Sequence, residues 1–198
     1  MQERLFTAAL ELIAHHGYDN TSIDDIAAHA DVARGTFFNH YPHKDDLITE
    51  WNTRRATQLH RALTTRTGEL SPGDTLTRFH HCLAALTELN EQHQQLNRTM
   101  ITAAHRTGRL TTHPSPTARL FTAILTDGQK RGEITEDLDP HRLGHLIDDT
   151  YHGVLTRWAD PATPRDTSLY RELHEAFKTF LTGTLPRPAH PGEHPRTT

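Results

Sequence analysis

Residues 21–47 read TSIDDIAAHADVARGTFFNHYPHKDDL, and this stretch predicts two short helices joined by a tight turn, followed by the start of a third helix. Apolar side chains recur at helical spacing in its first half, at Ile23, Ile26, Ala27 and Ala30. We expect Thr21 to cap the first helix, with Asp24 as its capping-box partner. The second helix is expected to end near Tyr41, because Pro42 disfavours helical backbone at the residue before it.

The second helix, which begins near Arg34, combines a polar outward face with an inward Phe37. Short donors and acceptors on an exposed helix suit the major groove of DNA. Lys44 follows in the expected first turn of the third helix, where a cation opposes the helix dipole and a phosphate would relieve the conflict. The candidate DNA contacts are Thr21, Ser22, Arg34, Gly35, Thr36, Phe38, Asn39, His40 and Lys44. The alternative for this face is an ordinary solvated helix surface.

Together with the Gly-Tyr pair just before it, this stretch resembles the DNA-binding domain of the TetR family of transcriptional regulators. The resemblance is carried by Gly17-Tyr18, Thr21-Ser22-Ile23, Ile26-Ala27, Ala30, Val32-Ala33, Gly35-Thr36-Phe37-Phe38, His40-Tyr41, Lys44 and Leu47. Three positions depart from the family pattern. Asp31 stands where Gly is frequent, Phe38 replaces a Tyr whose hydroxyl contacts phosphate, and His43 replaces a small N-cap residue.

The resemblance implies an all-α protein with two domains. An N-terminal three-helix helix-turn-helix DNA-binding domain, residues 1–47, would be joined by a long helix to a larger helical effector-binding and dimerisation domain, residues 48–185. Residues 186–198 are rich in Pro and His without periodicity, which predicts a disordered tail.

Helical periodicity and capping residues predict where the individual helices lie. Pro follows a capping side chain at Ser71-Pro72, Ser115-Pro116 and Asp139-Pro140, which is typical of helix starts. The predicted helices span about 2–16, 43–67, 71–91 and 94–106, and three more begin near 115, 139 and 168.

Composition limits the function further. The net charge of −4 is unusual for a DNA-binding protein, so few phosphate contacts and a shallow salt dependence are expected. Cys82 is the only cysteine, which excludes an internal disulfide, and we expect neither a metal site nor a cofactor. No apolar run approaches the roughly 20 residues of a membrane span, and no signal segment opens the chain. We therefore expect a cytoplasmic protein without membrane association.

The middle helices resemble the effector domain of the family, which encloses a ligand pocket. The side chains that could line such a pocket are Trp51, Arg55, Phe79, Cys82, Leu86, Met100, Phe121, Ile124 and Tyr151. For each of them, ordinary core packing is the alternative. Because most of this set is apolar, we expect a lipophilic or aromatic small molecule.

The last two helices are apolar over a wide face, and in the family the equivalent pair forms a four-helix dimer interface. A two-fold dimer also doubles the number of bases read, because a single recognition helix reads few. The expected interface core consists of Leu143, Ile147, Val154, Trp158, Phe177 and Phe180. The alternative is packing within one chain.

These features predict a homodimeric, ligand-responsive regulator, and we expect a repressor that leaves a palindromic operator when a small molecule binds the C-terminal domain. Two alternatives stay open. One is a transcriptional activator, and the other is a regulator controlled by a protein partner, with no small-molecule pocket. No paired carboxylates, nucleophile elbow or metal-ligand spacing supports an enzyme.

Overall fold

The computed structural model describes residues 1–63, 72–110 and 115–184, the last six of these by backbone alone. Within these ranges all regular structure is helical, as predicted. The helices are α1 (Gln2–His16), α2 (Ile23–His29), α3 (Arg34–His40), α4 (Asp46–Leu63), α5 (Thr75–Glu91), α6 (Gln94–Arg106), α7 (Pro116–Lys130), α8 (Pro140–Ala159) and α9 (Leu169–Thr184). The predicted tail, residues 186–198, lies outside the described residues.

The first three helices pack around a small closed core. Its central side chains are fully buried: Leu5, Ile13, Ile26, Phe37 and Leu47. Helix α1 has its predicted bounds and ends at Gly17, whose φ of 84° suits a residue without a Cβ atom. Asp31 has a φ of 52° in the turn after α2, so it takes the left-handed conformation in the place of the family's frequent Gly.

The cap of α2 lies one residue later than predicted. Ser22 is the N-cap, and its hydroxyl oxygen accepts a hydrogen bond from the Asp25 backbone N–H at 3.1 Å. Asp25 completes the capping box by accepting from the Ser22 backbone N–H at 3.0 Å. The prediction of Thr21 and Asp24 as the capping pair was therefore wrong. Thr21 is buried instead, and its hydroxyl donates to the Gly17 carbonyl at 2.8 Å.

Helix α4 connects the two domains. It begins at Asp46 and not at residue 43, because residues 42–45 form turns in which the His43 backbone N–H donates to the Asp46 carboxylate at 2.8 Å. Lys44 thus precedes the helix, and the predicted conflict with the helix dipole does not arise. The 18 described residues of α4 span about 27 Å. The predicted continuation to residue 67 lies outside the described residues.

The second domain confirms most of the predicted helix starts. Ser115 and Asp139 cap α7 and α8, each with Pro at the start of the helix, and α6 has its predicted bounds. Helix α5 differs, because it begins at Thr75 with Asp74 as its cap and not at Ser71-Pro72. Asp74 accepts from the Thr77 backbone N–H at 2.8 Å, and a carboxylate from the α7–α8 loop, Glu133, accepts from the Thr75 N–H at 2.7 Å.

Aromatic side chains fill the centre of the second domain, and α7 and α8 approach each other closely. The Phe79 and Phe121 rings stack with centroids 6.1 Å apart, and Phe177 meets Phe121 edge to face at 5.7 Å. Gly144 lies where a Cβ atom would come within 2.9 Å of the Thr122 backbone nitrogen, so only Gly fits there. None of the helices in the described part of the chain is long and apolar enough to cross a membrane.

Candidate DNA-binding and effector sites

Helix α3 presents the outward face that the sequence predicted. Phe37 and Tyr41 point into the core and are almost fully buried. The outward side chains are Arg34, Thr36, Phe38, Asn39 and His40. A Cβ atom on Gly35 would meet nothing within 4 Å, so this glycine leaves open space at the N-terminal end of the helix. Helix α3 therefore exposes mostly polar side chains on its outer face, while Phe37 and Tyr41 anchor its inner face in the core.

Arg34 is paired within the chain before any DNA is present. Its guanidinium forms an ion pair with the Asp24 carboxylate on α2 and lies 5.5 Å from the centre of the Phe38 ring. Both charged side chains of the pair are more than half exposed. Such a pair contributes little to stability in water, so exchanging Asp24 for a base or a phosphate costs little.

The predicted phosphate contacts Thr21 and Ser22 differ in exposure to solvent. Thr21 is only 1% exposed, and its hydroxyl is used inside the domain, so its prediction as a DNA contact is not supported. The sequence could not separate it from Ser22, because either hydroxyl can cap a helix. Ser22 is exposed at the N-terminus of α2. Its position at a helix start keeps it compatible with a phosphate.

Lys44 fastens the α1–α2 loop to the start of α4. Its ammonium group donates to the Tyr18 carbonyl and lies 4.2 Å from the centre of the Tyr18 ring, while the Tyr18 hydroxyl donates to Asp45 at 2.7 Å. Burial lowers the pKa of Lys44, and the nearby Asp19 and Asp45 carboxylates oppose this shift. An ammonium group has three protons, so further donors remain for a phosphate.

A network that the sequence did not reveal joins α3 to α4 and α1. The Tyr41 hydroxyl donates to Glu50 at 2.5 Å, and Glu50 also accepts from Arg54 Nε at 2.9 Å. Arg54 in turn donates to both carboxylate oxygens of Glu3, at 2.9 and 2.6 Å. These hydrogen bonds hold the pKa of Glu50 below its usual value although burial opposes them. The C-cap residue of the recognition helix, Tyr41, is therefore hydrogen-bonded to α4.

A cavity of about 70 Å³ lies between α4, α5, α6 and α8. Four of the predicted pocket residues line it: Trp51, Arg55, Leu86 and Tyr151. Its other walls were missed, and they include the α6–α7 segment at Leu110 and residues 115–117 at the start of α7. Nothing in the periodicity of the chain could indicate this, because a loop contributes to a cavity only through the tertiary fold.

The remaining predicted pocket residues are core residues that do not line this cavity. They are fully or almost fully buried: Phe79, Cys82, Met100, Phe121 and Ile124. Burial raises the pKa of the Cys82 thiol to about 12, so this cysteine is an inert apolar side chain at neutral pH. Their prediction as ligand contacts is therefore not supported for this cavity, and the core-packing alternative describes them better.

Arg55 is the charged group of the cavity. Its guanidinium lies 4.4 Å from the centre of the Trp51 ring. It donates to Asn90 Oδ1 at 2.5 Å, to the Leu89 carbonyl at 3.1 Å and to Asn97 Oδ1 at 3.4 Å. All three acceptors are uncharged, and burial lowers the pKa of Arg55.

A second set of contacts joins the cavity wall to the DNA-binding domain. Arg109, next to the cavity residue Leu110, donates to Thr49 Oγ1 at 2.8 Å and lies 3.5 Å from the Asp46 carboxylate. Its carbonyl accepts from Asn52 Nδ2 at 2.7 Å. At the end of α6, Arg106 pairs with Asp19 of the α1–α2 loop at 2.7 Å. The α6–α7 segment thus contacts both the cavity and the start of α4.

The predicted dimer core is buried inside the single chain. Ile147, Val154, Trp158 and Phe177 are each at most 2% exposed, and Leu143 is partly buried. The side chain of Phe180 lies outside the described residues. The burial of these four side chains within one chain favours the alternative of intrachain packing for them, and the composition of the interface stays a prediction. The exposed apolar residues on α8 and α9 are Leu146, at 51%, and Tyr170, at 41%.

Comparison with known proteins identifies the class. Residues 5–50 match the bacterial regulatory proteins of the tetR family. Residues 5–50 are thus similar to the DNA-binding domain of this family, and the chain is a DNA-binding, ligand-responsive transcriptional regulator with the fold that the helix-turn-helix stretch predicted. The relatives that it matches are transcriptional regulators.

Three relatives illustrate the similarity. The chain is 25% identical over 166 residues to the fatty acid metabolism regulator protein of Bacillus subtilis strain 168. This alignment covers 78% of the present chain and 81% of the Bacillus protein. It is 27% identical to Thermus thermophilus FadR, a TetR family transcriptional repressor solved in complex with lauroyl-CoA, with a TM-score of 0.71 and coverage of 98% and 100%. A TetR-family regulator from Pectobacterium atrosepticum, 18% identical over 94% of this chain and 95% of that one, has a TM-score of 0.72 and shares the fold.

Proposed function

We propose that this protein is a homodimeric repressor, acting in the cytoplasm, that leaves a palindromic operator when a small amphipathic molecule with an acyl chain enters the cavity of the second domain. The observation that carries this proposal is the double role of α4. Trp51, Asn52, Arg55, Ala56 and Leu59 of this helix line the cavity. The same helix begins directly behind the recognition helix and is bonded to it through Tyr41 and Glu50.

The size of the cavity supports a population shift on ligand binding. A twelve-carbon chain has on the order of ten methylenes, each about as large as a water molecule at ~30 Å³, so it needs several times the observed 70 Å³. Such a ligand binds only an arrangement in which α4 and α6 separate, and it therefore favours that arrangement over the one described. Movement of α4 then carries α3 away from its groove.

The lining and the relatives support an acyl ligand. Leu59, Leu86, Leu89, Ile101 and Leu155 form an apolar wall along the cavity. Thermus thermophilus FadR, which shares the fold over the full chain length, was solved with lauroyl-CoA. The apolar lining and the ligand of this relative both favour an acyl chain as the lipophilic part of the effector.

The DNA contacts that we propose are the outward residues of α3 together with two groups beside it. They are Arg34, Gly35, Thr36, Phe38, Asn39 and His40, with Ser22 and Lys44 at phosphates. Arg34 suits a bidentate contact with guanine, and Asn39 suits one with adenine. The internal engagement of Lys44 and the acidic net charge support few phosphate contacts and hence a shallow salt dependence.

For the dimer we propose an interface on the outer face of α8 and α9. Leu146 and Tyr170 are its exposed apolar side chains. Leu143 lies beside them as a partly buried residue. A two-fold axis along this face would place two recognition helices on successive major grooves, about 34–36 Å apart.

The experiment that tests the proposal is a gel shift of the full-length protein on its own upstream DNA, at two salt concentrations, with lauric acid, with lauroyl-CoA and without either compound. We expect a specific shift that protects a palindrome and that at least one of the two acyl compounds releases. The matched control is Arg34→Ala, which should weaken the specific shift but leave the ligand-binding domain intact. Specific binding that no acyl compound affects would contradict the proposed ligand class, and absence of any specific site in genome-selected fragments would contradict the regulator itself.

A further inference from the structure

The cavity of the second domain contains a cation without a counter-charge. Among the described residues, no carboxylate oxygen lies within 4 Å of the Arg55 guanidinium, and its hydrogen-bond acceptors are two amide side chains and one backbone carbonyl. Arg54, one residue earlier in α4, is by contrast paired with the carboxylates of Glu3 and Glu50. A charge in low dielectric surroundings without an opposite charge is costly, so an anion that reaches it gains strongly.

The nearby titratable groups do not neutralise Arg55. Tyr151, which also lines the cavity, is fully surrounded by protein, and burial raises the pKa of its phenol, so the ring stays neutral. Asp148 on α8 is buried, and its Oδ1 has no hydrogen-bond partner, although His152 Nδ1 lies 3.5 Å from it. No oxygen of Asp148 lies within 4 Å of the Arg55 guanidinium, so this carboxylate forms no ion pair with Arg55.

The guanidinium still has donors for a ligand. An arginine has five N–H donors, and the three hydrogen bonds to described acceptors all leave from Nη1 and Nη2. The Nε–H edge of a guanidinium presents two parallel donors, a spacing that matches the two oxygens of a carboxylate. The Trp51 ring on one face holds the group in place. Arg55 is thus preorganised for a planar anion in a cavity whose lining also includes several leucines.

We infer that the effector of this protein carries a free carboxylate, which Arg55 binds, so that the ligand is a monocarboxylic acid with an aliphatic tail and not its coenzyme A thioester. The inference rests on the proposed function, because it names the head group of the ligand in the same cavity. A thioester carbonyl is uncharged, and the phosphates of coenzyme A are separated from it by the long pantetheine arm, so a thioester group beside Arg55 would leave its charge uncompensated. Thermus thermophilus FadR was solved with lauroyl-CoA, whereas the ligand that we infer for the present protein has a free carboxylate as its head group.

The test is calorimetric titration of the full-length protein with linear carboxylic acids of four to twelve carbons, the corresponding alcohols, and lauroyl-CoA. We expect at least one acid to bind roughly 10- to 100-fold more tightly than the alcohol of equal length, the effect of one charge-assisted contact. Arg55→Gln should remove this difference, and Arg55→Lys should restore part of it.

The chain offers a matched control. Arg98 also lies over a tryptophan, 4.5 Å from the centre of the Trp158 ring, and donates to the carbonyls of Thr163 and Pro164, but it does not line the cavity. Arg98→Gln should leave the preference for acids unchanged. Comparison of melting temperatures for the two variants separates lost binding from lost folding.

The outcomes separate the inference from the proposed function. Equal binding of acid and alcohol, or equal loss in Arg55→Gln and Arg98→Gln, overturns the role of Arg55. Tight binding of lauroyl-CoA with no binding of any acid overturns the inference but supports the proposed function. If no acid, alcohol or thioester binds and none releases operator DNA, both the inference and the proposed ligand class fall.

Discussion

The two domains of this protein differ in where the proposed functional residues lie relative to the residues that stabilise the fold. In the DNA-binding domain the core is closed, and the proposed functional groups are on the outer face of α3, where Arg34 has only an exposed ion pair with Asp24. In the second domain the proposed site is internal, and Arg55 is surrounded by the helices that also form the core. Substitutions should therefore change binding alone in the first domain, whereas in the second domain they should change folding and binding together.

The largest effect on binding is expected at the proposed dimer interface. This face belongs to the second domain, but its residues are exposed, so a substitution there should change association without changing the fold. Leu146→Asp places a charge on an exposed residue of the proposed interface, so the monomer fold should persist while dimer affinity falls by roughly 100-fold or more. Sedimentation analysis measures this, and operator binding should fall with it. Leu138→Asp, an equally apolar exposed residue outside α8 and α9, is the control. An unchanged dimer in Leu146→Asp would place the interface elsewhere.

Arg34→Ala tests the separation in the DNA-binding domain. Loss of a bidentate base contact should weaken specific operator binding by about 10- to 100-fold, with no change in melting temperature, because the side chain is exposed. Fluorescence anisotropy with operator DNA measures the affinity. Asp24→Asn, which frees Arg34 from its partner, should not weaken binding. A loss of similar size in Asp24→Asn would mean that the ion pair, and not a base contact, supports recognition.

Gly144→Ala tests how tightly the second domain is packed. The added Cβ would press on Thr122 of α7, and overpacking of this kind costs about 1–3 kcal/mol of unfolding free energy. Gly153→Ala in the same helix meets only the end of the flexible Arg157 side chain, at 3.8 Å, so it should be neutral or stabilising. Thermal unfolding at equal protein concentration compares the two. Equal destabilisation would contradict the close approach of α7 and α8.

Arg109→Gln tests the contact between the domains. It removes the ion pair with Asp46 but keeps the backbone carbonyl that accepts from Asn52. Operator affinity without ligand should change little, while the ligand concentration for half-release should change by about fivefold, the lower end of measured coupling. Arg131→Gln, whose acidic partners lie at the far end of α7, is the control. An unchanged release curve for Arg109→Gln would exclude this route of coupling.

The smallest effect is expected at Gly35. Its position inside α3 is open, so Gly35→Ala should stabilise the domain by about 0.5–1 kcal/mol through a smaller loss of backbone entropy. Urea unfolding measures the change. Operator binding in the same variant then shows whether DNA occupies the open space, because a methyl group is tolerated in solvent but not against a base. Reduced stability would show that the glycine serves the fold.

Local sequence predicted α3 better than it predicted the cap of α2. Pro42 ends the recognition helix and Phe37 faces inward, and both follow from the chain itself. Thr21 and Ser22 are chemically equivalent as caps, so the sequence left the choice to the tertiary fold, which buries Thr21 against Gly17. The same holds at α5, where Glu133 from a distant loop completes the start of the helix at Thr75.

The sequence by itself predicted the resemblance to the family, the presence of the helices and the outward face of the recognition helix, because spacing and capping act over a few residues. Only the tertiary structure decided which apolar residues face a cavity, which are core and which remain for a partner. Trp51 and Phe79 look alike in a helical pattern, yet one lines the cavity and the other is packed against Phe121. The physical reason is that burial depends on which helices meet, and that is a property of long-range packing and not of local periodicity.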